Sequence, residues 1–212
     1  MSRNMKPIYK QFIAILILML PALIIPMIPG MSELLQYDRL AIADGEVWRL
    51  MTQHWCHWSM DHLFFDLFAF LILGLWAMQY SVRDLIVNIF ISSLLISAGM
   101  LLWQNDQQHI RGLSGIDCAL FAMVLFYVFK QAWLDDEYFW MTVSTLSMSA
   151  FIGKTIYELT IGQTLFMDGQ AAGVTPLPLC HLIGFCCGLV IPLFKYSYKP
   201  KGILIKSIHT IA

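Results

Sequence analysis

HLFFDLFAFLILGLWAMQY, His62–Tyr80, carries a single carboxylate and neither lysine nor arginine. A bilayer core about 30 Å thick is crossed by roughly 20 predominantly apolar residues in helical form, so this stretch predicts a transmembrane helix. Working outward, comparable runs occupy residues 12–28 before it and 85–103, 114–133, 139–159 and 177–196 after it. The sequence therefore predicts an all-α, polytopic membrane protein of six spans. The whole of residues 1–212 reads as a single membrane domain, with no low-complexity tract and no inverted repeat. Arg3, Lys6 and Lys10 precede the first run as they would a signal peptide, but the run continues past Pro21 and Pro26 without a small-residue cleavage pattern, so it is read as a retained helix.

Composition agrees with this class. Hydrophobic residues make up 58% of the chain and charged residues 13%, against about 45–50% and 25% in soluble domains. A net charge of −1 offers no basic face to follow a phosphate backbone, which argues against a nucleic-acid partner and leaves the lipid bilayer as the expected surroundings. The five cysteines are odd in number and four lie inside predicted spans, so they do not form a disulfide framework.

Six spans place both termini on one side. Arg3, Lys6, Lys10, Arg83, Lys130, Lys195, Lys199, Lys201 and Lys206 fall at the termini or on turns of that same side, while Arg39, Arg49, Arg111 and Lys154 fall elsewhere. Because loops rich in Lys and Arg stay in the cytoplasm, both termini are expected there. The longest connection, from Pro29 to Asp61, lies outside and contains Trp48, Trp55 and Trp58, suited to an amphipathic segment in the headgroup layer.

Polar groups within apolar spans need a reason, since lipid offers them no water. His62 and Asp66 open the second span, Ser114 and Asp117 the fourth, and His181 stands one turn into the sixth. Even-numbered spans all run from outside to inside, so these residues converge at about one depth. Gly112-Leu113-Ser114-Gly115 sets the serine at a loop-to-helix junction, where unpaired N–H groups of the helix end can stabilise an oxyanion. Its alternative is an N-cap, because Ser114 and Asp117 fit a capping box. A serine nucleophile needs a base, and His181 qualifies. Gly184 and Gly188 share its helix face, and Gly115, Ala119 and Ala122 give the fourth span a matching small face, so close packing would bring His181 against Ser114.

In four separated places the chain resembles the rhomboid intramembrane proteases: Trp48-Arg49; His57 with His62 and Asp66; Gly112-Leu113-Ser114-Gly115; and His181-x-x-Gly184. The His-Trp-Ser-x-Asp-His string and Pro176-x-Pro178-x-x-His181 resemble the rhombosortase-type subgroup. The resemblance implies a six-helix rhomboid-like bundle and a serine endopeptidase, with Ser114 and His181 as a catalytic dyad lacking a carboxylate orienter. His62 would donate to the oxyanion, Gly112 and Leu113 would shape its binding site, and His57, Trp48 and Arg49 would be structural residues of the first loop. Neither metal nor organic cofactor is implied. The subgroup implies a bacterial inner membrane and C-terminally anchored protein substrates.

Asp66 departs from the pattern, which has an asparagine donor there. Two readings stand: a protonated Asp66 donates as the amide would, or Asp66 accepts from His62, its neighbour at i−4 on the helix. The second is preferred. His54 matches nothing catalytic and is expected at the membrane interface. Other functions remain open: an inactive rhomboid-like protein that binds clients, or a protein using His54, His57, His62 and Asp66 for zinc, or His62 and His181 for haem iron.

Overall fold

The computed structural model describes residues 8–162 and 177–193. Its helices, in chain order, are α1 Ile8–Ile24, α2 Met31–Leu35, α3 Arg39–Ala43, α4 Arg49–Thr52, α5 Met60–Tyr80, α6 Val82–Trp103, α7 Ser114–Leu134, α8 Tyr138–Ile161 and α9 Pro178–Leu193. One two-residue ladder, β1 Tyr37–Asp38 antiparallel to β2 His109–Ile110, ties the first long loop to the loop before α7.

The helix ends are written in local chemistry. Ser59 caps α5 by accepting from the backbone N–H of His62 at 3.2 Å. Ser81 both ends α5 and caps α6, accepting from the Asp84 N–H at 3.2 Å, so a single residue turns the chain between two spans. Pro26 lies in the short 3-10 turn Ile25–Met27 that follows α1. Gly162 ends α8 in the left-handed conformation at φ 72°, which costs glycine nothing.

Among the described residues, four segments are long and apolar enough to cross a membrane: Tyr9–Met27, Met60–Tyr80, Val82–Trp103 and Ser114–Leu134. They coincide, to within a few residues, with the first four expected spans. The helix α8 is long enough but carries Lys154, Glu158 and several hydroxyls, and the described part of the last segment, α9, is shorter. Residues 163–176, between α8 and α9, the end of the sixth expected span and most of the terminal basic residues lie outside the described residues. The centre of the bundle is α7, 67% buried along its span against 28% for the first segment, because it packs on α5, α6, α8 and α9 together.

The first long loop is not irregular. It folds into α2, α3 and α4, and Arg49, a residue only 5% exposed, braces it: its guanidinium donates to the Glu33 and Gln36 carbonyls at 2.7 and 2.9 Å and pairs with Glu46 at 2.7 Å. Trp48 is exposed beside it. Trp55 turns inward and donates its indole N–H to the Leu18 carbonyl at 2.9 Å, tying the loop to α1. Trp58 lies under the Arg111 guanidinium, 4.3 Å from the ring centre.

Candidate active site

Ser114 is the first residue of α7, and Leu113 is the N-cap, with no side-chain capping bond. The alternative capping role for Ser114 is therefore not taken up. Its hydroxyl instead lies 3.1 Å from Nε2 of His181, the geometry in which Oγ–H donates to an imidazole acceptor. The approach depends on the two small-residue faces. A Cβ on Gly184 would collide with the Gly115 carbonyl, and one on Gly188 with the Ala119 carbonyl. Backbone-to-backbone contact between α7 and α9 is what sets the serine and the histidine within one hydrogen bond.

Around the Gly112–Leu113 corner the polar groups gather on one oxygen. Oδ2 of Asp66 accepts the Leu113 backbone N–H at 2.8 Å and lies 3.1 Å from His57 Nε2 and 3.2 Å from His62 Nε2. The two imidazoles meet edge to face, 5.0 Å between centroids. His57 is thus drawn into the site from a loop position, and Asp66 is arranged as an acceptor. Gly112 has φ +131°, and a Cβ there would stand 2.8 Å from the His62 ring, so conformation and space both demand glycine. The Ser114 N–H, at the first helical position, lies outside the intrahelical ladder.

His54 corrects the expectation of an interfacial residue. It is 1% exposed, donating from Nε2 to the Ser93 carbonyl at 3.1 Å, and burial pushes its pKa down to about 4. Beside it the Gln53 amide donates to Ser97 Oγ at 2.9 Å, and the Gly112 N–H donates to the Gln53 carbonyl at 3.3 Å. This buried polar strut holds the corner before Ser114 against α6. Sequence reading missed it, although Ser93 and Ser97, at i and i+4 in an apolar span, were the available signal. It also missed the Lys154–Glu158 pair, 2.7 Å apart on α8, which the same spacing announces. Among the described residues no His, Cys, Asp and Glu side chains cluster with metal-site geometry.

A bundle of apolar helices with hydroxyl, imidazole and carboxylate groups gathered at the ends of its central helices defines an integral membrane protein with a polar cluster between its helices. The Rhomboid domain profile matches residues 44–198, and the chain belongs to the rhomboid family, whose members are generally intramembrane serine proteases. No individual curated protein matches the chain significantly.

Proposed function

We propose that this protein is an intramembrane serine endopeptidase with Ser114 as nucleophile and His181 as general base. The observation that carries the reading is the 3.1 Å separation of Ser114 Oγ and His181 Nε2 across the α7–α9 contact. Ser114 Oγ attacks the scissile carbonyl while its proton passes to His181. The oxyanion forms at the end of α7, where the Ser114 N–H supplies one donor and the His62 Nε2–H, turning from Asp66 to the oxyanion, supplies the other. His181 returns the proton to the leaving amine, and water, deprotonated by the same imidazole, then cleaves the acyl-enzyme.

The remaining features of the proposal concern setting. Residues 1–212 form one six-span domain, with α8 and α9 belonging to the fifth and sixth spans and both termini in the cytoplasm, probing substrates at the outer leaflet. The rhombosortase-type resemblance extends this to a bacterial inner membrane and to substrates held by a C-terminal transmembrane segment.

A fluorophosphonate probe is the test. It should label the detergent-solubilised protein, Ser114→Ala should abolish labelling, and His181→Ala should nearly do so, because the pair acts as a unit. Undiminished labelling of Ser114→Ala would overturn the assignment. One observation favours a second reading, an inactive client-binding relative: Asp66 engages the Leu113 N–H and both neighbouring imidazoles, so a carboxylate stands where negative charge must develop. Under that reading the parent protein itself takes up no probe.

A further inference from the structure

Asp117 is 7% exposed, and its Oδ1 is buried with no hydrogen-bond partner. A buried carboxyl requires a partner whatever its charge, since removing it from water uncompensated costs several kcal/mol. Asp66 is engaged by three N–H groups, Ser114 by His181 and Lys154 by Glu158, while Nδ1 of His62 and Nδ1 of His181 are, like Asp117 Oδ1, buried without a hydrogen-bond partner. The fold therefore keeps a carboxyl oxygen unsatisfied beside the proposed nucleophile.

Its position says which donor can reach it. Asp117 is three residues beyond Ser114 on the same helix, so the two side chains are neighbours about 5–6 Å apart at Cβ, with Asp117 nearer the bilayer middle. Gly115, Ala119 and Ala122 face α9, and at 100° per residue Asp117 lies roughly on the opposite side of α7. Phe121, one turn further along, meets Phe151 of α8. Asp66 of α5 acts electrostatically on Asp117. Asp117 thus projects toward the side of α7 flanked by α5 and α8, which pack on α7 separately.

We infer that Asp117 is a substrate-binding residue, accepting an N–H donor from the part of the substrate just beyond the scissile bond. The inference rests on the proposed serine-protease reading. In a substrate anchored by a C-terminal transmembrane segment, the chain beyond the cut runs from Ser114 toward the bilayer middle, past Asp117. That stretch must be unwound for attack, which frees main-chain N–H groups that lipid cannot satisfy. The donor is one of these amides or the amino group of a side chain in the same stretch.

Peptidyl α-ketoamides test this, because Ser114 Oγ adds reversibly to the ketone carbon, the carbonyl electron pair moves to oxygen, and the hydroxyl proton passes to His181. Three are needed: one with a secondary amide in its leaving-side extension, the same compound N-methylated there, and one carrying a lysyl side chain. Each is measured by the concentration that half-blocks fluorophosphonate labelling of the same variant. In Asp117→Leu that concentration should rise at least ten-fold for the secondary amide and less than two-fold for the N-methylated compound. Asp117→Asn, isosteric and still an acceptor, should restore most of the loss. A larger loss for the lysyl compound, unrescued by Asn, assigns the donor to a side-chain amine; equal losses with rescue assign it to the main chain. Equal shifts for the secondary and N-methylated compounds, no shift, or a labelled parent that no ketoamide blocks overturns the inference. A parent that never labels instead removes the serine-protease reading, and this inference with it.

Discussion

Asp66 is the residue at which family pattern and local chemistry pull apart. A carboxylate at a position that should stabilise negative charge is unfavourable, yet three N–H groups converge on its Oδ2. That arrangement favours the acceptor role, in which Asp66 orients His57 and His62 and holds Leu113. Asp66→Asn keeps part of this by turning its amide oxygen toward the donors but loses the charge, so turnover should fall about ten-fold, equivalent to about 1.4 kcal/mol, with little change in the alkaline limb of the pH profile. Asp66→Ala should be slower still, and a fully active alanine variant would show that the residue merely lines the bundle. His54 makes a different prediction, about stability. Because its folded pKa lies near 4 rather than 6.5, the unfolded chain takes up a proton first on acidification. The stabilisation is complete above about pH 6.5 and is lost as pH falls toward 4, with a slope approaching about 1.4 kcal/mol per pH unit. Thermal unfolding in detergent should record that decline, and His54→Gln should be less stable at neutral pH but flatter across the same window.

At the scale of elements, the contact between α7 and α9 is the joint on which the proposed chemistry turns. The Gly184 position meets the Gly115 carbonyl, which belongs to a helix backbone and cannot move aside as a side chain would. Gly184→Ala should push α9 outward, costing on the order of 1–3 kcal/mol as overpacking does, and should lower serine-probe labelling by at least a hundred-fold through the displaced His181. A variant that labels at the parental rate would mean that the joint tolerates the methyl group. This contact was legible beforehand, because glycines at i and i+4 on one span and small residues on another are complementary in pattern alone. The folded first loop was not. Arg49 holds it through carbonyls of residues 33 and 36, and backbone acceptors carry no sequence signature.

For the whole molecule, the distribution of lysine and arginine predicts orientation independently of any site. A reporter fused after Ala212 should read cytoplasmic, and one inserted between residues 104 and 111 should read external; the reverse would put Ser114 at the wrong face for the proposed substrates. Much of the architecture follows from the chain alone. Apolar runs of bilayer length make spans because lipid leaves the backbone no partner but itself, and four of them stand where their composition says. The meeting of Ser114, His181, His62 and Asp66 at one end of the bundle likewise follows from their places near the starts of α7, α9 and α5. What only tertiary structure decided is which atoms meet. His54 is buried on Ser93, His57 reaches Asp66, and Asp117 stays unpartnered. Span length and depth are properties of a segment against the bilayer, and one sequence contains them; a hydrogen bond between side chains on different segments depends on rotation and close approach of whole helices, which packing sets only after the chain has folded.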